Sequence, residues 1–314
     1  VGVTIRAIRG EEWDEALRLW ETVFEVGPWL FDSLHRGTED RNWEHCGVAV
    51  SEDGRLLSAV DLFMRPVRDG DGTPTKVAAV GSVATLEEAR KQGLSGRLLE
   101  RALGVMADEG CAWSHLFTGT HHHYRRYGWF DAPLQTRFGD LRTDLGAPVE
   151  AEILDDAGID AWLDTFAGWW TLENARRPLV HVRSAHYWKT AIRPRMGQGS
   201  IHEERKVILV RDQGTPYGYV VYETNPDQPK VLEIAGNAER GLRAFAQTIR
   251  SGNVAFDVPF DEPWNSAITG IVQAVELVPA PWSMARGLPL GMNDDEVKAI
   301  FAAPGAHHWQ LDNF

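Results

Sequence analysis

Apolar residues alternate with polar ones in VTIRAI (residues 3–8). In EEWDEALRLWETVF (11–24) they recur at three- and four-residue spacing, with Trp13, Ala16, Leu17, Trp20 and Phe24 on one face. The first pattern predicts a strand and the second an amphipathic helix. GPWLFDSLHR (27–36) reads as a break followed by a short helix. Three strand-like runs fill residues 45–85, and the hairpin signals EDG and DGDGTP separate them. A helix is expected from Gly93 to Glu109, stopped by Gly110. A strand in CAWSHLFTG (111–119), a short helix in HHHYRRYG (121–128) and a strand in TRFGDLRT (136–143) follow.

DLGAPVE (144–150) has the Gly and Pro of a linker. Beyond it the order of elements recurs while residue identity does not. The pattern gives a helix near Ile159–Trp170, a hairpin over 206–224 and a strand in KVLEIAG (230–236). A helix over 237–252 with an Asn cap and a Gly stop comes next, then a strand in NVAFDVPF (253–260) and a helix in PWNSAITGIVQA (263–274). PAPWSMARGL (279–288) and HHWQLDNF (307–314) read as late extended pieces. The chain therefore divides into two mixed α/β domains, 1–145 and 146–314, the second an echo of the first.

Composition narrows the classes. At 43% hydrophobic and 25% charged residues, the 314-residue chain is an ordinary globular protein. Its net charge of −13 argues against a general nucleic-acid binder and suits a cationic small substrate or simple solubility. The sequence lacks an apolar run of membrane-spanning length, and VGVTIRAIRG lacks the layout of a signal peptide. With Cys46 and Cys111 far apart, the expected compartment is the cytoplasm. The triplet His121–His123 is not expected to hold a metal, because consecutive helical residues point in different directions. The tryptophans Trp162, Trp169, Trp170 and Trp188 are expected to serve the core.

The chemistry concentrates in SVATLEEARKQGLSG (82–96), where a strand runs through a basic, Gly-containing turn into a helix. A helix start leaves backbone N–H groups unpaired and carries partial positive charge. Arg90 and Lys91 add full charges, Ser95 adds a hydroxyl, and Gly93 and Gly96 allow close approach. Such a turn suits a pyrophosphate, and the strand edge before it suits an amide-containing chain. A plain strand–turn–helix with a solvated basic turn is the alternative.

One helix and one strand later stands Tyr124-Arg-Arg-Tyr127-Gly128-Trp129. Together with Arg90-Lys-Gln-Gly93-Leu-Ser95-Gly96, this resembles the GNAT superfamily of acetyl-CoA-dependent N-acetyltransferases over about residues 1–142. It looks most like the enhanced-intracellular-survival branch, whose members carry a second, degenerate GNAT-like domain. Two departures stand out. The loop's last small position is Ser95 with Gly96 one place later, and His123 precedes Tyr124 where an aromatic is usual.

The resemblance implies tandem GNAT-like domains with acetyl-CoA bound by the first alone, since NAERG (237–241) lacks the basic loop. It implies that Val83, Ala84 and Thr85 hold the thioester carbonyl, and that Arg90, Lys91, Gln92, Gly93, Leu94, Ser95 and Gly96 hold the pyrophosphate. Tyr124 would give a proton to the leaving thiolate, or serve only as an aromatic wall. The base would be the carboxylate of Phe314 or, alternatively, Asp61. Glu25, Trp29 and Asp32, with Phe31, fall in the helix-break region where acceptors of the family bind. The expected activity is acetyl transfer to a primary amine of a small cationic acceptor, with homo-oligomers common among relatives. A non-catalytic acyl-CoA-binding module and a two-domain scaffold are the rival readings.

Overall fold

The computed structural model describes residues 2–197, 204–250 and 252–313. Two seven-stranded mixed sheets form the molecule. In the first half β1 (Val3–Ala7) is followed by α1 (Trp13–Phe24) and α2 (Trp29–Arg36). Then come β2 (Cys46–Ser51), β3 (Leu56–Arg68), β4 (Pro74–Thr85), α3 (Leu94–Asp108) and β5 (Trp113–Phe117). α4 (His121–Arg125), β6 (Phe130–Asp131) and β7 (Leu134–Asp140) close it.

The second half has β8 (Ala151–Leu154), α5 (Asp156–Glu173), α6 (Ala185–Tyr187), a π-helical turn (Trp188–Ile192) and α7 (Arg193–Gly197). β9 (Arg205–Asp212), β10 (Thr215–Glu223), β11 (Lys230–Gly236), α8 (Ala238–Ile249), β12 (Asn253–Phe256) and α9 (Trp264–Ile271) follow. β13 (Glu276–Ala280), β14 (Ser283–Gly287), α10 (Asp294–Phe301) and a 3-10 turn (Gln310–Asp312) end the chain.

The strand orders show how the halves relate. The first sheet runs β1-β2-β3-β4-β5-β14-β6 and the second β8-β9-β10-β11-β12-β7-β13. The two are the same order with one strand exchanged: β14 stands in the first sheet where β7 stands in the second. Both sheets are antiparallel except for one central pair each, β4–β5 and β11–β12. Each sheet thus takes one strand from the other half of the chain, β14 in the first and β7 in the second.

The helices form as the apolar spacing dictates. α3 buries Leu94, Leu98, Leu99, Ala102 and Met106 on one face, and each large side chain contributes about 1.5–3 kcal/mol by leaving water. They pack with Val48, Val60 and Leu62 in the first core. α8 packs Leu242 and Phe245 against Val220 and Ile234 in the second. Trp170 and Trp188 are buried there, and Trp162 and Trp169 lie partly buried against the same core, so these tryptophans are packing residues. A third cluster straddles the seam, joining Trp113 and Val77 to Leu179, Ala285, Val297 and Ile300.

Two expectations change. α10 was not expected, although Asn293 and Glu296 form a reciprocal cap at its start. HHWQLDNF, expected as an extended piece, is extended at Trp309 but then turns, and up to residue 313 it is a buried tail with a 3-10 turn. Arg195 donates to the Leu311 carbonyl at 2.6 Å, and the Trp309 indole donates to Asn174 at 2.9 Å, so side chains hold the tail in place.

Candidate active site

The site begins as a defect in β4. Its register against β3 shifts between Ala59 and Asp61, and Ser82 takes a positive φ of 51°. The Trp20 indole fixes this bulge by donating to the Ser82 carbonyl at 2.7 Å. Parallel pairing with β5 stops at Val80 and Leu116, so Gly81 to Thr85 run on with no β5 partner. A fork opens there, and a strand edge lined by Val83, Ala84 and Thr85 faces it. On the other edge Ser58 holds the segment, its hydroxyl 2.6 Å from the Ala84 carbonyl and 2.8 Å from the Thr85 hydroxyl.

The turn after β4 delivers the helix start to the mouth of the fork. Gly93 caps α3 at φ 74°, where a Cβ would be strained although nothing lies within 4 Å of it. The first helical N–H with an intrahelical acceptor is that of Arg97, bonded to the Gly93 carbonyl at 3.1 Å. No side chain caps α3, and its first turn carries no acidic residue. The preceding amides are therefore placed for an anion. Arg90, Lys91, Gln92 and Gly93 are exposed around them, whereas the Leu94 side chain is core. Gly96 lies against the segment that follows α4, where a Cβ would overlap the Tyr127 hydroxyl.

α4 forms the opposite wall. Tyr124 is 7% exposed, its ring edge-on to Trp129 at 6.3 Å and to His123 at 5.1 Å. Burial pushes its phenol up to about 12, partly offset by a hydrogen bond with Thr118. His123 faces Ser95 across the gap, 3.4 Å between Nε2 and Oγ. The exchanged strand supports this wall: Arg286 of β14 donates to the Tyr127 carbonyl and lies 5.3 Å over Trp129. His121 is taken by Asp131 at 2.6 Å.

The remaining sequence candidates scatter. Asp61 is buried on β3 and paired with Arg41 at 2.5 Å; burial raises its pKa while Arg41 opposes the shift. Asp32 is paired with Arg36 at 2.6 Å. Glu25 is exposed at the end of α1, Trp29 is 37% exposed, and Phe31 is buried against Trp20. Phe314 lies outside the described residues.

What sequence reasoning missed lies at the seam. The face of β5 carrying His115 and Phe117 meets the tail: His308 stands 5.2 Å from the His115 ring and 5.1 Å from that of Phe117. His115 also hydrogen-bonds Ser283 of β14 at 2.8 Å. Burial lowers the pKa of His115, His181, His307 and His308, so this face is lined by neutral imidazoles. A cleft of about 830 Å³ opens beside it between the two sheets. No local pattern announces this, since the partners are more than 160 residues apart.

Comparisons with known proteins agree with this geometry. Residues 4–131 match the family model of the acetyltransferase (GNAT) domain. Among solved structures, a probable N-acyltransferase from Enterococcus faecalis superposes with a TM-score of 0.69 at 17% identity, over 92% of this chain and 73% of that one. A GCN5-related N-acetyltransferase from Anabaena variabilis gives 0.67 at 14% identity, over 92% and 74%. Eis1 from Mycobacterium abscessus gives 0.63 at 16% identity, over 91% and 74%. At these identities the likeness speaks for the fold. None of the curated proteins matches the chain in sequence.

Proposed function

Because residues 4–131 match the family model of the GNAT acetyltransferase domain, we propose that the chain transfers an acetyl group from acetyl-CoA to a primary amine. The fork between β4 and β5, opening onto the uncapped start of α3, carries this reading. Acetyl-CoA supplies the acetyl group as an activated thioester. The amides of 93–96, with Arg90 and Lys91, hold the pyrophosphate. The free edge over Val83 to Thr85 pairs with the pantetheine amides, and its N–H groups face the thioester carbonyl, where negative charge builds during transfer.

Tyr124 gives its phenolic proton to the departing sulfur. Its raised pKa keeps the phenol protonated at neutral pH, so that the proton is in place when the carbon–sulfur bond breaks. The acceptor attacks as a neutral amine. The −13 net charge favours gathering amines in their ammonium form from solution. Asp61, the alternative base, is already paired with Arg41.

The test is acetyl-CoA turnover with a panel of amines, together with calorimetry on Gly93→Asp. A carboxylate at the mouth of the fork should weaken CoA binding about 100-fold or more, with the fold kept. Unchanged affinity would exclude this loop as the pyrophosphate site. CoA binding without turnover of any amine would favour a non-catalytic acyl-CoA module.

A further inference from the structure

We propose that Trp20 of α1 is a positioning residue for the transfer step: through the Ser82 carbonyl it sets which amides of β4 face the fork. The inference rests on the acetyl-transfer reading and adds to it a buried residue of the neighbouring helix.

Register shows what the bulge does. Asp61 pairs with Gly81 and Ala59 with Ala84, so Ser82 and Val83 stand together opposite Val60. β4 thus carries one residue more than β3 across this stretch. Successive N–H groups of a strand point to opposite edges, so one extra residue exchanges the set that faces β3 for the set that faces the fork. Val83 to Thr85, the free edge of the fork, stand at and just beyond this change. With β4 flat, the strand would slip by one residue against β3, and the other amides of the segment would turn toward the thioester carbonyl.

The bulged form has to be held. Ser82 is a non-glycine residue at φ 51°, where its Cβ crowds its own backbone, so the ordinary extended conformation is the easier one for it. Trp20 offsets that difference. Its indole N–H donates to the Ser82 carbonyl at 2.7 Å, and the ring is fully buried. The ring is braced by Phe31, stacked at 5.6 Å, and by Trp13, edge-on at 5.4 Å. Phe31, which the sequence placed beside the acceptor, is thus part of this support. Trp20 and Ser82 are 62 residues apart, so the bond forms only when α1 is docked on the sheet. Losing the donor would remove what favours the bulged strand over the flat one. The amides would then no longer be aimed at the oxygen where charge builds, and that aim is what lowers the barrier.

The experiment measures kcat and acetyl-CoA affinity in Trp20→Phe, in Trp20→Phe combined with Ser82→Gly, and in Ser82→Val, with the amine that the wild-type chain acetylates fastest. Trp20→Phe keeps an aromatic ring and removes the donor. Its kcat should fall about tenfold or more, while acetyl-CoA affinity by calorimetry stays within about threefold, because the pyrophosphate loop is untouched. Glycine takes positive φ without strain, so adding Ser82→Gly should raise kcat again by about fivefold or more. Ser82→Val puts a β-branched side chain at φ 51° and should lower kcat as Trp20→Phe does, with Trp20 in place. Wild-type kcat in Trp20→Phe overturns the proposal. So does a loss that Ser82→Gly leaves unchanged, since a packing defect at Trp20 would not answer to backbone freedom at residue 82. Should Trp20→Phe fail to fold, Ser82→Val decides: wild-type kcat overturns the proposal and a fall with acetyl-CoA affinity kept supports it. Turnover of no amine by the wild-type chain overturns the acetyl-transfer reading and this one together.

Discussion

The molecule contains the same fork twice, open in one half and filled in the other. β4 parts from β5 after four paired residues, and β11 parts from β12 after two, Lys230 and Val231. At the first fork the strand edge is free and α3 starts on Gly93 without a side-chain cap. At the second, Asn237 caps α8 by accepting from the Arg240 amide at 3.0 Å, and Glu239 sets negative charge in the first turn. Glu173 of α5 accepts from the Gly236 amide at 3.1 Å, where the strand ends. Arg183 stands against β11, bound to Glu233 and to Asp312 of the tail, with its guanidinium 4.0 Å over Trp170 and 4.8 Å over Trp188. One topology thus gives a proposed ligand site or a structural joint, according to whether the chain's own groups take up the fork's hydrogen bonds.

The two buried tyrosines offer the strongest way to break the comparison. Tyr124 bonds a threonine hydroxyl, which leaves its proton available, whereas the Tyr219 hydroxyl is committed to the Glu233 carboxylate at 2.7 Å. Tyr124→Phe should lower turnover by roughly 10²–10⁴ with CoA affinity nearly kept. Tyr219→Phe should leave turnover alone and cost about 1–3 kcal/mol of stability, because it strips a donor from a buried carboxylate. Steady-state kinetics and denaturant melts on the pair decide it. Wild-type turnover in Tyr124→Phe would reduce that residue to packing.

Next in size is Arg183. Replacing it with Met leaves Glu233 and Asp312 buried without their shared partner, at a cost of about 3–5 kcal/mol. The tail should loosen at the same time, since Asp312 is its main ionic anchor to the second half. A thermal midpoint close to wild type would mean that Trp309 and Leu311, both fully buried, hold the tail by themselves.

Legibility followed the range of the signal. The first fork could be read because the features that make it the proposed donor site lie within residues 82–96, and Tyr124 follows in a recognisable local pattern. The second fork's lack of a basic loop was equally local. The strand exchange could not be read: β7 and β14 are short runs whose alternation suits either sheet, and pairing partners such as Ser283 and Phe117 are set by the whole fold. The Arg183–Asp312 bond joins residues 129 apart. Arg41, which occupies Asp61, sits in a segment with no pattern of its own. α10 carried its Asn293–Glu296 cap in plain view, but it follows directly on extended, Pro- and Gly-rich sequence that reads as loop.

The smallest effect expected sharpens the comparison most directly, because it changes one charge at the filled fork. Burial pushes the Glu173 carboxyl up to about 7, with the Gly236 amide and Arg177 opposing the rise. In the unfolded chain the same group titrates near its ordinary value of 4.5. Between these values the folded state holds a proton that the unfolded state has released, so stability falls as pH rises from about 4.5 to about 7 and is level beyond. Glu173→Gln keeps the shape of the protonated acid and removes that slope. The variant should match wild type near pH 4.5 and exceed it by roughly 1–3 kcal/mol at pH 8. Denaturant melts at both pH values are the measurement, and an equal difference at the two would rule out the buried charge as its source. The same variant should gain no affinity for CoA, because Asn237 and Glu239 still occupy the start of α8.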